Sequence, residues 1–278
     1  MIMQLIDTHS HLYAEEFDAD RSDALLRARE AGVERLLLPA IDSESHERMF
    51  SLAESAPDMC RVMMGLHPTS VNENPRWREE LALVERYLEN PPEGLRFCAV
   101  GEIGLDYYWS QDFVAEQREA FVAQCRMASR LGLPVAIHTR SAWDDMCELL
   151  EQESAEARSR GELLRGVLHA YSEGVETYHR LLGCGDFLFG IGGVVTFKKS
   201  PLAEVVAQMD LHHIILETDC PYLTPVPHRG KRNESAYVSH ICRKVAELKG
   251  VSADEVARIT TANARRMFLP DEVEGAEN

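Results

Sequence analysis

The sequence predicts an α/β protein, a (β/α)8 TIM barrel folded as a single domain over residues 1–270, with a metal site at the C-terminal mouth. Three observations carry that expectation. Short apolar, β-branched runs alternate with helical patterns along nearly all of the 278 residues, which implies parallel strands joined by crossover helices. Eight such runs can be marked, which suits a closed barrel better than an open doubly wound sheet. The first run ends in Asp7-Thr8-His9-Ser10-His11, without the Gly-x-Gly-x-x-Gly turn that a dinucleotide-binding sheet places there.

In chain order, the strands are expected at Leu5–Asp7, Val33–Pro39, Arg61–Gly65, Phe97–Glu102, Pro134–His138, Gly166–His169, Phe187–Ile191 and His213–Thr218. Helical spacing of apolar residues falls between them, at Arg21–Ala31, Trp77–Tyr87, Glu116–Leu131 and Leu202–Met209. The stretch Glu151–Glu162 is polar and reads as an exposed helix–loop segment. After the eighth strand comes a polar loop, Leu223–Glu234, and then helices at Ala236–Lys249 and Ala253–Met267. Ser252 precedes the latter as N-cap, and Glu255 three residues on completes a capping box. Asp271–Asn278 is acidic and aperiodic and reads as a frayed tail.

Composition narrows the partners. Hydrophobic residues at 45% and charged residues at 27% are ordinary for a globular chain. A net charge of −17 argues against a protein that coats duplex DNA, because such affinity comes from neutralising phosphates. It leaves open a phosphoesterase whose positive charge is local, in bound ions and a few basic side chains. No run approaches the ~20 apolar residues of a bilayer span, and no secretory signal is expected. The seven scattered cysteines lack any Cys-x-x-Cys and read as reduced thiols of a cytoplasmic protein.

The strand ends carry the chemistry. His9 and His11 follow strand one, Glu102 ends strand four, His138 ends strand five, His169 ends strand six, and Asp219 follows strand eight. C-terminal strand ends of a barrel converge on one mouth, so four imidazoles and two carboxylates meet as N and O ligands for one or two divalent cations. Zn, Mg and Mn are all candidates. Singly, each residue has a bland reading: a His-x-His on a solvated strand, a salt-bridged Glu102, core histidines at 138 and 169, a turn cap at Asp219. Six such coincidences at strand ends are far less probable than one site. The period-two pair His9 and His11 points to one side, and Glu102 and Asp219 can bridge two ions or deprotonate a bound water.

A second layer concerns substrate. Arg140 lies beyond His138, and Arg229 and Lys231 lie in the basic loop Pro227–Glu234. These three suit a phosphate clamp, the alternative being a solvated charged loop. Lys198 and Lys199 follow strand seven. His67, ending strand three, is placed against substrate rather than metal. Tyr107, Tyr108 and Trp109 could stack on a base or pack as a loop lid. Cys220, beside Asp219, reads as a packing residue.

Several motifs resemble the TatD family of metal-dependent deoxyribonucleases: Ile6–His11, Gly65-Leu66-His67-Pro68, Gly101–Tyr108, Ile137–Arg140, and Leu216–Leu223 running on to Glu234. The likeness extends from Ile6 to Phe268. It implies an amidohydrolase-superfamily barrel whose ligands match His9, His11, Glu102, His138, His169 and Asp219. It also implies 3′-5′ exonuclease cleavage of DNA, at single-stranded or frayed ends, by a metal-bound hydroxide. Asp219 then serves as ligand and general base and Glu102 as the bridging carboxylate. Some relatives deacylate D-aminoacyl-tRNA, so tRNA and ester or amide hydrolysis form the alternative. A non-catalytic binding barrel would lack a ligand, and no position of the set is missing. The chain departs from the family at Tyr171-Ser172-Glu173, where Phe-Ser-Gly is usual, and at Ser141, where Asp is common; both bear on substrate preference.

Overall fold

A computed structural model describes residues 3–274. Its eight strands are β1 (Leu5–Asp7), β2 (Val33–Leu38), β3 (Cys60–Met64), β4 (Phe97–Asp106), β5 (Val135–Arg140), β6 (Gly166–Leu168), β7 (Phe187–Ile191) and β8 (Ile214–Leu216). Each pairs in parallel with the next, in the order β1 to β8. Between β8 and β1 the ring is drawn together by Thr8 N–H donating to Leu216 O (3.1 Å) and Asp219 N–H to His9 O (2.9 Å). Thr218 N–H adds a bond to Asp7 Oδ1 at 2.8 Å. The expected barrel and all eight strand positions are therefore present, with ends that differ by a few residues.

Helices cover the outside: α1 (Arg21–Glu30), α2 (Ser43–Ser55), α3 (Trp77–Glu89), α4 (Val114–Leu131), α5 (Trp143–Ser159), α6 (Val175–Leu182), α7 (Leu202–Gln208) and α8 (Val238–Lys249). The next helix, α9 (Ala253–Phe268), does something different. One residue from each strand (Ile6, Leu37, Met63, Ala99, Ala136, Val167, Leu188 and Ile215) packs inside the barrel against Ala264, Met267, Phe268 and Leu269 at the end of α9. The helix thus seals the end of the barrel opposite the site, leaving the C-terminal strand ends as the open mouth. Ser252 Oγ accepts from Glu255 N–H at 3.1 Å, as the capping pattern requires. The return bond from Glu255 is not made, so the box is half-formed at α9; the reciprocal pair occurs at α2, between Asp42 and Ser45.

Two sequence expectations are corrected. Glu151–Glu162 is the expected helix–loop segment, the second half of α5 up to Ser159 and a turn beyond it, but it is not exposed throughout. Glu153, Ser154 and Ala157 are buried there, and Glu153 is tolerated because Arg126 donates to both of its oxygens at 2.9 and 3.0 Å. The acidic tail also begins later than Asp271. Pro270–Glu274 forms a short helix, α10, fastened by Glu272, which pairs with Arg35 and Arg61. The last four residues of the expected tail lie outside the described ones.

Candidate metal centre

The strand exits deliver the site. Beyond β1 the alternation of an extended chain sends His9 and His11 one way and Ser10 the other. Ser10 Oγ sits 3.2 Å from Cys220 Sγ and 3.0 Å from Ser235 Oγ, in a buried knot away from the histidines. Cys220 is thus the packing residue expected of it, and burial pushes its thiol up to about 12. At the exits of β5, β6 and β8 the chain turns through left-handed residues, Ser141 (φ 56°), Ala170 (φ 45°) and Asp219 (φ 56°). Non-glycine residues pay about 1–2 kcal/mol for that conformation, and such strain concentrates at functional sites.

Glu102 is the hub. The β4–β5 register shifts between Gly101 and Ile103, so Glu102 is the extra residue of a bulge, its N–H donating across to Ala40 O at 3.0 Å. Gly104, at φ 151°, lets β4 close on β5; a Cβ there would lie 1.9 Å from His138 O. The bulge aims the Glu102 carboxylate into a ring of imidazoles. Its Oε2 lies 3.1 Å from His9 Nε2 and 3.6 Å from His11 Nε2. Its Oε1 lies 3.1 Å from His138 Nδ1, 3.6 Å from His67 Nε2 and 3.7 Å from His169 Nε2. Asp219 Oδ1 faces the same ring, 3.5 Å from His11, 3.7 Å from His169 and 4.0 Å from His9. All six expected ligands therefore meet in one place.

Two of the imidazoles, His11 and His138, are held by a hydrogen bond at one nitrogen, which turns the other toward the carboxylates. Tyr13 Oη donates to Pro39 O (2.6 Å), so it accepts from His11 Nδ1 (2.9 Å) and leaves His11 Nε2 a lone pair. Asp106 Oδ2 accepts the His138 Nε2–H at 2.9 Å, which turns His138 Nδ1 toward Glu102 Oε1. Glu217 Oε1 lies 3.0 Å from His169 Nδ1 as an ion-pair contact without hydrogen-bond alignment, the same oxygen accepting the Ala170 N–H at 2.6 Å. His67 is arranged the opposite way. Its Nδ1 accepts the Thr69 N–H at 3.2 Å, so the neutral ring carries its proton on Nε2 and offers the site a donor. Tyr13, Asp106 and Glu217 escaped the sequence reading, though each stands within four residues of His11, Glu102 or Asp219.

Electrostatics favour a cation here. Burial opposes charge on Glu102, yet His9, His67 and His138 hold its carboxyl well below the usual range. Burial is likewise outweighed at Asp219, which His169 and His11 lower. Against burial, Asp106 and Glu102 raise His138 to about 9, and Glu217 and Asp219 raise His169 to about 10. Burial lowers His9 and His67. Donor atoms fall into three groups within 4.8 Å: His9, His11 and Asp219; His9, Glu102 and His169; His67, Glu102 and His138. The first two fit the ~2.0–2.2 Å bonds of N and O ligands to a divalent ion, with Glu102 beside both. In the third, the proton on His67 Nε2 leaves Glu102 and His138 as the ligands.

Of the expected substrate residues His67 lies within this cluster, while Arg140, Arg229 and Lys231 stand around the mouth without joining it. Arg140 is exposed, its guanidinium 3.7 Å over the Tyr108 ring and 5.4 Å from that of Trp109. Arg229 stacks 3.8 Å over Phe197, and Lys231 is exposed. Arg232 of the same loop is consumed structurally, donating to Asp20 at 2.7 and 2.8 Å. Tyr107 is a packing residue, its hydroxyl bonded to Asp145 at 2.8 Å.

Comparison with known proteins agrees with this geometry. An uncharacterized metal-dependent hydrolase of Bacillus subtilis, YabD, is 36% identical over 270 residues, covering 95% of this chain and 98% of its own. A protein of Erwinia tasmaniensis named 3′-5′ ssDNA/RNA exonuclease TatD is 32% identical, covering 95% and 99%. The crystal structure of YjjV, a TatD homologue from Escherichia coli, superposes with a TM-score of 0.84 at 29% identity, covering 96% and 99%. The family model described as TatD related DNase matches residues 6–269. A barrel closed at one end, a Glu-centred ring of histidines at the other and a match over almost the whole length make this chain a member of the TatD-related DNase family of metal-dependent hydrolases.

Proposed function

We propose that this chain hydrolyses phosphodiester bonds of single-stranded or frayed DNA from the 3′ end, with His9, His11, Glu102, His138, His169 and Asp219 holding one or two divalent cations. The observation that carries the reading is the Glu102 hub, a buried carboxylate enclosed by imidazoles whose far nitrogens are already engaged. Relatives named 3′-5′ ssDNA/RNA exonuclease supply the substrate class. Bound divalent cations supply a Lewis acid and an acidified water at neutral pH.

The chain's own residues divide the remaining work by exposure. The Glu102 side chain is 3% exposed and that of Asp219 15%, so Glu102 suits a bridging position and Asp219 the acceptance of a proton from the attacking water. His67, with its proton on Nε2, would donate to a substrate oxygen, a role that the Thr69 N–H bond to its Nδ1 supports. Arg140, Arg229 and Lys231 are free to meet flanking phosphates. The scattered spacing of the cysteines supports a cytoplasmic location. Among the described residues no helix is long and apolar enough to cross a membrane.

The test is degradation of end-labelled single-stranded DNA by the purified chain, with chelator and with Mg, Mn or Zn restored. Loss of the product ladder with chelator and in Asp219→Ala is expected, with 5′-labelled strands shortening progressively. No cleavage with any of the three metals refutes the DNA substrate, and hydrolysis of an aminoacyl ester under the same conditions selects the alternative.

A further inference from the structure

Two aromatic side chains at the mouth have no structural employment. Tyr108 is 57% and Trp109 68% exposed, while their neighbour Tyr107 is tied inward. Their placement is nonetheless determined. The Tyr108 N–H donates to Asp106 Oδ1 at 3.0 Å, and the other oxygen of the same carboxylate holds His138. Arg140 covers one face of Tyr108, and Trp109 stands edge-on to that ring, 5.0 Å away at 87°. A π surface backed by a guanidinium is thereby built one residue link from a proposed metal ligand.

We propose that Tyr108, Trp109 and Arg140 form a stacking platform for one unpaired nucleobase next to the phosphodiester being cleaved, so that the enzyme reads single-strandedness through this contact. The proposal rests on the phosphodiesterase reading above. Charge is the reason to expect stacking. A chain of net charge −17 repels a polyanion at long range, so affinity has to be short-range, and base–aromatic stacking needs no net charge and tolerates every base. A paired base keeps its faces inside the helix and cannot use the platform. An apolar ligand without a phosphate would gain nothing from the adjacent cation cluster.

The experiment compares wild type, Trp109→Ala, Tyr108→Ala and Trp109→Phe in binding a labelled single-stranded oligonucleotide and its counterpart with abasic terminal nucleosides. Anisotropy is read in chelator, so that no strand is cut, at several salt concentrations. Trp109 is exposed, so its replacement leaves the fold intact. Stacking on one base predicts that Trp109→Ala weakens the intact strand by about 5- to 150-fold. The abasic strand is then bound equally by variant and wild type, the salt slope is unchanged, and Trp109→Phe restores most of the loss. In the metal-loaded enzyme, KM for the intact strand rises while kcat stays within about twofold, as for a contact made equally in ground and transition states. Equal losses on intact and abasic strands, no loss, or no binding by wild type overturns the platform. A wild type that discriminates abasic strands but cuts neither with any metal refutes the nuclease and keeps the base site. Cleavage without that discrimination does the reverse.

Discussion

Replacing Asp106 with alanine should unbalance the metal centre on one side only. Asp106 is buried and accepts the His138 Nε2 proton at 2.9 Å, so its removal leaves an imidazole N–H unpaired and frees the ring to turn its Nδ1 away from Glu102. Loss of such an orienting partner typically lowers metal affinity 10- to 100-fold, about 1.4–2.8 kcal/mol. Tyr13→Phe is the complementary change. It removes the hydroxyl that accepts from His11 Nδ1, acting on the group formed by His9, His11 and Asp219. Calorimetric titration of chelator-stripped protein with Zn or Mn should show the two variants weakening different binding steps, with nearly additive losses in the double variant. Asp106→Asn, which keeps an acceptor oxygen, should lose less than Asp106→Ala. If Asp106→Ala leaves both binding steps within about twofold of wild type, the orienting role assigned to Asp106 from its hydrogen bond is wrong.

The metal-free protein should become less stable as pH rises. His138 and His169 are raised from 6.5 to about 9 and about 10, so the stability they contribute is complete below pH 6.5 and is lost as pH climbs through those values. Asp7, which burial raises from 3.8 to about 7, extends the decline to lower pH, between those two values. Thermal melts in chelator should therefore fall between pH 6.5 and 10, and the stabilisation by added metal should grow; a flat or rising Tm in chelator refutes the assignment. Gly104→Ala sets a methyl group against the His138 carbonyl at a φ of 151°, and should cost about 2–3 kcal/mol or more in urea unfolding while also weakening metal binding. A Tm near that of wild type would show that β4 and β5 can separate there. Phe268→Ala, at the sealed end of the barrel, should cost about 3–5 kcal/mol yet leave metal affinity unchanged, as calorimetry on the folded variant will show.

The parts of the molecule that were readable in advance share a cause. Strands were legible because their apolar, β-branched runs are bounded by turns, and His9, His11, Glu102, His138, His169 and Asp219 because barrel topology converts strand-end position into proximity. Helices α2 and α6 and the first half of α5 were not marked, and in the second half of α5 the inward position of Glu153 was hidden because its neutralising partner, Arg126, is far away in sequence. Tyr13, Asp106 and Glu217 were missed for a different reason. Their function is to choose which nitrogen of a neighbouring histidine carries a proton, and that depends on contacts such as Tyr13 to Pro39 O that no local pattern announces. The fastening of Glu272 to Arg35 and Arg61 is likewise a contact between the two ends of the chain.

The position of α9 has a consequence for how the protein is made. Asp219 is the last of the six metal-binding candidates to leave the ribosome, but Ala264, Met267 and Phe268, which fill the bottom of the barrel, emerge some 45 to 50 residues later, two to ten seconds at ordinary elongation rates. Through that interval a nascent chain holds every ligand and none of its plug. A chain cut short before α9 would carry the six candidate ligands on an unsealed barrel.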